Sequence, residues 1–226
     1  MPQVVANGIK QCYEVTGEGP TTIVWIHGIG GSHHYWNEVL PSFPGFRHIS
    51  YDVRGMGDTE GTDGPVDLET WAADCNALLD ELGVEEAIIA GTSMGGAITM
   101  RFGIDFPKKV KALLLLSTSS RVGQAATDHW MAQADDTEAG GKPLLAAAQR
   151  AVAKYHMDEE IKAFDVPTLI VVGDADKTTP AGGSVIMSRC IPNSELEIYP
   201  GIGHSPLKEE PKSVERVQEW LAQFAD

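Results

Sequence analysis

Three residue types that together perform nucleophilic catalysis are spread through this 226-residue chain at suggestive places. The first is a serine in Gly91-Thr92-Ser93-Met94-Gly95, a G-x-S-x-G run. A short β-branched segment precedes it and an apolar helical pattern follows. Glycines on both sides permit a strand-to-helix turn too tight for side chains, which would leave the Ser93 hydroxyl free at the end of a sheet with a helix N-terminus behind it. A serine in such a turn also serves as a plain helix cap, so its context has to decide. A serine nucleophile needs a base, an acid to orient the base, and fixed donors for the oxyanion.

Each requirement has a candidate. The apolar run PTLIVVG is followed at once by DADKTTP, so Asp174 and Asp176 leave the end of a strand. The next such run, SELEIYP, is followed by GIGHSP, so His204 leaves the same edge one strand later. Chain order is then Ser93, Asp176, His204, the order expected when the serine sits in this kind of turn. Asp176 is the preferred acid and Asp174 the alternative. A strand-end aspartate is commonly a helix cap and a lone histidine can close a turn, but both fall at the strand ends that the chemistry needs. In WIHGIGG a strand ends at His27-Gly28, and the glycines let backbone N–H groups turn towards the serine. The amides of Ile29 and Met94 are the natural oxyanion pair, because the hole needs donors and no particular side chain. His27 reads as a loop tie held by hydrogen bonds rather than as a base.

The elements that must position these residues follow from periodicity. Residues 2 to 16 read as two strands joined at Asn7-Gly8, a two-residue hairpin signal. TTIVWIHG, FRHISYD, EAIIAGT, VKALLLLST, PTLIVVG and SELEIYP read as strands, the later ones mostly apolar on both faces as parallel strands under helices should be. Between them, Leu68, Trp71, Ala72, Cys75, Leu78, Leu79 and Leu82 share one helical face, with Asp67 as cap and Gly83 as stop. Helices are also predicted after Ser93, Pro180 and Pro206, the last burying Val214, Val217, Leu221 and Phe224. Alternation of strands and helices predicts an α/β fold around one mostly parallel, twisted sheet of about eight strands, the first hairpin being its antiparallel edge. Residues 121–164 break the alternation. They suggest two helices around a polar loop, DDTEAGGK, inserted between two strands of a core made of residues 1–120 and 165–226. An insertion this long between sheet strands reads as a short lid.

In combination, HGIGG, YDVRGMGDT, GTSMGG, GDADKTTP and GIGH resemble the α/β-hydrolase superfamily in order and spacing, over almost the whole chain. The look is closest to single-domain esterases and 3-oxoadipate enol-lactonases. The resemblance implies a Ser93–His204–Asp176 triad, an oxyanion hole at Ile29 and Met94, and no metal or organic cofactor. Two departures stand out. Met56 and Thr59 replace residues that are more often aromatic or His, and Ser. The insertion is also short for a lid of that family. A dicarboxylate substrate would need a cation near the lid; Arg121 is the candidate, with Arg150 and Lys154 behind it. Trp130 and His129 are the aromatic candidates to line the site.

Bulk properties narrow the rest. The chain is long enough for one domain with a substantial core. A formal net charge of −15 argues against nucleic acid and anionic membrane partners. No apolar run approaches the roughly 20 residues of a membrane helix, and the first residues show no signal peptide. Cys12, Cys75 and Cys190 are widely spaced and read as reduced thiols of a cytoplasmic protein. A dinucleotide site at HGIGGSH fails because His33 occupies the third glycine position. His33-His34 makes a poor metal pair without a third ligand. The sequence carries no mark of oligomeric state. The expectation is a serine hydrolase acting on a small, mostly neutral carboxylic ester or lactone. The alternatives are an enol-lactonase or C–C bond hydrolase of the same fold, peracid formation with peroxide in place of water, and a non-catalytic ligand receptor on the same scaffold.

Overall fold

The computed structural model of the chain describes residues 2–225. The chain begins with the expected hairpin. Strands β1 (Gln3–Ala6) and β2 (Ile9–Thr16) pair antiparallel across Asn7 and Gly8. Both turn residues are left-handed, at φ 48° and 76°, the geometry whose twist matches the flanking strands. β3 (Thr22–Ile26), β4 (Arg47–Tyr51), β5 (Ala87–Thr92), β6 (Val110–Leu116), β7 (Thr168–Gly173) and β8 (Ser194–Tyr199) complete one sheet in the order β1-β2-β4-β3-β5-β6-β7-β8. β2 meets β4 antiparallel, and every pairing from β4 to β8 is parallel. The mostly parallel eight-strand sheet expected from the sequence is therefore present.

Helices cover both faces, which is why β3, β5 and β7 are buried along their whole length. On one side α1 (Leu68–Glu81) and α2 (Met94–Asp105) press Trp71, Leu78, Leu79, Ile98 and Phe102 against Val24, Ile89 and Leu113. On the other, Trp25, Trp36 and Phe43 join Trp220, Leu221 and Phe224. The α1 boundaries obey the predicted signals: the Asp67 carboxylate accepts the Thr70 amide at 2.8 Å, and Gly83 turns the chain at φ 65°. α5 (Ala181–Cys190), α6 (Pro206–Glu209) and α7 (Pro211–Leu221) follow β7 and β8.

The structure departs from expectation in two places. The helix after Pro206 is broken at Glu210, because Pro211 has no N–H to continue it. Trp220 joins Val217, Leu221 and Phe224 in the core, while Val214 stays half-buried. Between β6 and β7 lie α3 (Gln124–Ala139) and α4 (Pro143–Val152), the two helices expected there. Most of the predicted polar loop, however, is the last turn of α3. Asp135 and Glu138 are one turn apart and both pair with Arg150 of α4 at 2.8 Å, which favours helix over loop. Only residues 140–142 turn the chain.

All three cysteines are free. Burial pushes the Cys75 thiol up to about 12, so it is inert. Among the described residues no helix is long and apolar enough to cross a membrane.

Candidate active site

Ser93 ends β5 and opens α2 with φ 57° and ψ −121°, a backbone conformation that a residue with a side chain rarely adopts. Strain of this kind costs of order 1–3 kcal/mol and persists only where surrounding structure forces it. Here the forcing is visible. The Ser93 amide donates to the Leu116 carbonyl at 2.9 Å, and its own carbonyl accepts from Gly96 and Ala97 of α2 and from the Thr118 hydroxyl. The flanking glycines are steric requirements. A Cβ on Gly91 would lie 2.2 Å from the Gly95 carbonyl oxygen, and one on Gly95 would lie 2.1 Å from that of Ile26. Gly95→Ala is therefore expected to destabilise the fold by at least about 3 kcal/mol, lowering the melting temperature by about 6 °C or more. Calorimetry checks this, and an unchanged melting temperature would refute the close-approach argument.

The sheet edge brings the other two groups together. The loops after β7 and β8 are zipped by backbone bonds, Asp174 N to Tyr199 O and Ala175 N to Ile202 O, both 3.0 Å. Gly173 permits this approach, because a Cβ there would meet the Ile202 carbonyl oxygen at 2.0 Å. His204 Nδ1 consequently lies 2.7 Å from Asp176 Oδ2. The other Asp176 oxygen accepts the amides of Thr178 (2.8 Å) and Thr179 (3.0 Å). Burial opposes ionisation of this carboxyl, but the bonds from His204 and Thr179 outweigh it and hold Asp176 below the usual carboxylate range. Its side chain is 0% exposed, while that of His204 is 33% exposed, so the acid is sequestered and the imidazole is partly open to solvent. Asp174 serves the loop instead, accepting the Gly201 amide at 2.6 Å and tying the turn after β8. Glu209 accepts the amides on either side of His204, from Gly203 at 2.8 Å and Ser205 at 2.9 Å.

The glycine loop after β3 flanks Ser93. A Cβ on Gly28 would lie 3.4 Å from Ser93 Cβ and 3.9 Å from its Oγ, and the following residue, Ile29, lines the same cavity as Ser93. Met94 is the first residue of α2, where an amide has no preceding turn to bond. His27 is fully buried: its Nε2 accepts the Val53 amide at 3.0 Å, which leaves Nδ1 to donate to the Gly28 carbonyl at 2.7 Å. Both ring nitrogens are engaged, and burial lowers its pKa, so it braces the loop as a neutral ring. His33 is likewise structural. Its amide and Nδ1 both meet Asp52 Oδ1 at 2.7 Å, while Asp52 Oδ2 takes the Asp58 amide. Cys12 lies close to this pair, all three buried. The exposed His34 ring lies 4.0 Å from that of His33, tilted by 43°, and is not part of this buried group.

A cavity of about 290 Å³ opens over Ser93. Its walls include Ile29, Val122, Trp130, Val152, Tyr155 and Thr178. The site thus has a strained serine turn, a hydrogen-bonded His–Asp pair and a largely apolar recess, parts that acyl transfer could use.

The chain matches the family described as the alpha/beta hydrolase fold across residues 21–160. It belongs to that family. Among relatives, a non-heme chloroperoxidase of Kitasatospora aureofaciens is 26% identical, over 88% of this chain and 90% of that one. The 3-oxoadipate enol-lactonase 1 of Acinetobacter baylyi is 24% identical, over 80% and 81%. Among solved structures, a thermophilic esterase from Thermogutta terrifontis superposes with a TM-score of 0.90 at 22% identity, covering 100% of this chain and 99% of that one. That likeness speaks for the fold.

Within this α/β-hydrolase framework the sequence-named wall residues divide. Trp130 lines the cavity; His129 does not. Successive positions on α3 point about 100° apart, and the one turned inward is Trp130. His129 stands outside, packed edge-on against Trp130. Arg121 reaches the cavity wall, but its Nη1 is engaged with Asp158 at 3.2 Å. Arg150 is spent on Asp135 and Glu138, and Lys154 is exposed away from the lining. Tyr155, Val152, Thr118, Thr179 and Glu209 are additions that sequence reading missed. Thr179 had a signal, three residues beyond Asp176 in a strand-end loop. Tyr155 and Val152 had none, because they reach the site only through the path of the inserted helices.

Proposed function

We propose that the protein is a serine hydrolase that cleaves a small, mostly neutral carboxylic ester or lactone through an acyl-enzyme. The observation that carries this is the 2.7 Å His204–Asp176 pair at the same sheet edge as the strained Ser93 turn. In the proposed mechanism, His204 Nε2 takes the Ser93 proton as Oγ attacks the carbonyl carbon. Asp176, bonded to Nδ1, keeps the ring in the right tautomer and stabilises its charged form. The amides of Ile29 and Met94 receive the oxyanion. His204 then protonates the leaving oxygen, activates a water, and the ester of Ser93 is hydrolysed. The segment 121–164 acts as a short lid over the cavity, with Trp130 and Val122 on its inner side. The proposed steps call for no metal. A small-molecule substrate and a cytoplasmic location fit this reading.

The cavity volume, at the low end of ligand pockets, sets the substrate size. Turnover of p-nitrophenyl acetate and butyrate is expected to exceed that of the palmitate by about tenfold or more in kcat/KM. Steady-state kinetics across the acyl series checks this. Equal or faster turnover of the palmitate would overturn the small-acyl reading. A folded protein that turns over no ester or lactone would favour a ligand receptor.

A second reading draws on Arg121 at the cavity wall: an enol lactone bearing a carboxylate, as the name of the Acinetobacter relative suggests. It requires Arg121 to exchange Asp158 for substrate. Asp158 also holds His156 at 3.1 Å and the Ser120 hydroxyl, which weighs for the neutral substrate.

A further inference from the structure

The proposed mechanism makes no use of the Thr179 side chain, yet that hydroxyl occupies a contested position. Its Oγ1 lies 2.8 Å from Asp176 Oδ2, 2.7 Å from the Ser117 carbonyl oxygen and 3.4 Å from His204 Nδ1. A hydroxyl has one proton and cannot donate fully to two acceptors. The carboxylate is the stronger acceptor, because it is charged. Two backbone amides already secure Asp176 Oδ1. The other oxygen, which faces His204, has no backbone donor to hold it; its second donor is Thr179 Oγ1.

Ser117 shows how the hydroxyl is kept there. It ends β6 at φ 43°, left-handed backbone without being glycine. Its own hydroxyl is buried with no hydrogen-bond partner, so the conformation does not serve the side chain. With this bend the Ser117 carbonyl accepts from Thr179 Oγ1 at 2.7 Å while the Ser117 amide donates to the Val171 carbonyl at 2.9 Å. Strained backbone of this kind survives where neighbouring structure over-determines it.

We infer that Thr179 is a positioning residue of the triad: its one proton is shared between the Ser117 carbonyl and Asp176 Oδ2, and the share given to the carboxylate keeps that oxygen facing His204 Nδ1. Thr179 touches neither the Ser93 oxygen nor a transferred proton in this role. It acts through Asp176, on the orientation of the base. The kinetic consequence rests on the serine-hydrolase reading, whereas the resting geometry does not.

The test compares Thr179→Val, which keeps the shape and loses the donor, with Thr179→Ser, which keeps the donor. In Thr179→Val, kcat for p-nitrophenyl acetate is expected to fall about tenfold, the scale of one hydrogen bond to a charged group. KM should stay within about twofold, and Thr179→Ser should restore kcat to within about twofold of the parent. The downfield proton resonance of His204 Nδ1–H, read in the resting protein, should shift or broaden in the valine variant and return in the serine variant. Unchanged kcat with an unmoved resonance would overturn the inference. So would a loss confined to KM, which would make Thr179 only a cavity wall, or a serine variant as slow as the valine one. If the valine variant does not fold, Thr179→Ala takes its place against Thr179→Ser. If the parent protein turns over no ester, the serine-hydrolase reading fails by itself, and the resonance still decides whether Thr179 orients the pair.

Discussion

Ser93→Ala is expected to lower kcat for p-nitrophenyl acetate by about 10³-fold or more while leaving the melting temperature unchanged. Under the proposed mechanism, the size of the loss follows from how a triad works. Without Oγ there is no acyl-enzyme, and His204 and Asp176 cannot act on a nucleophile that is gone, so nearly the whole chemical advantage disappears at once. The stability half of the expectation follows from the backbone. All the bonds that force the turn run through the Ser93 amide and carbonyl, to Leu116, Gly96, Ala97 and Thr118, and alanine keeps every one. Alanine also carries the same Cβ at φ 57°, so the strain is neither added nor relieved. Steady-state kinetics beside differential scanning calorimetry gives both readings. A folded variant with near-parent rates would end the nucleophile assignment.

Asp176→Asn should be nearly as damaging, about 10³- to 10⁴-fold in kcat, while Asp174→Asn should stay within about threefold of the parent. Four donors converge on the two oxygens of Asp176: the Thr178 and Thr179 amides on one, His204 Nδ1 and the Thr179 hydroxyl on the other. An asparagine has only one oxygen to offer. If its NH₂ faces the two amides, donors collide. If it faces His204, the ring must present an unprotonated Nδ1 and its proton moves to Nε2, the wrong tautomer for a base. At position 174 the demand is one bond, Gly201 N to Oδ1 at 2.6 Å, and an asparagine oxygen accepts it equally well. Measuring both variants side by side discriminates the two acids. Collapse of Asp174→Asn with an active Asp176→Asn would reverse the assignment.

These two cases rest on signals that are local in the sequence. The G-x-S-x-G turn, the strand-end acid and the strand-end histidine are local signals. Each depends on a few adjacent residues and on the hydrophobic period that announces the preceding strand. The hairpin at Asn7-Gly8, the α1 cap at Asp67 and the order of strands are legible for the same reason, since φ preference, capping and burial pattern are properties of short segments. The choice of Asp176 over Asp174 was half legible. Side chains two apart beyond a strand end have no fixed period, and which one meets His204 depends on the zipping of two loops by Asp174 N and Ala175 N.

The cavity was least legible. His129 and Trp130 were equivalent in sequence, and the helix rotation that turns Trp130 inward is set by packing of α3 on α4 and by the Arg150 pairs. The DDTEAGGK segment shows the same limit. Its composition favours a loop, but Asp135 and Glu138 find a cation on another helix, and tertiary pairing outweighs weak local preference. Thr179 and Ser117 complete the contrast. Nothing local in Ser117 calls for φ 43°, and nothing local in Thr179 calls for a hydroxyl there rather than the valine that would fill the same space. By itself, then, the sequence determined the fold, the order of the candidate catalytic groups and the turn that carries Ser93, because those are written in short-range periodicity and steric permission. The tertiary structure completed the choice of the acid that meets the histidine, and it alone decided which aromatic walls the recess and which oxygens surround the Thr179 hydroxyl, because those depend on distances between segments far apart along the chain.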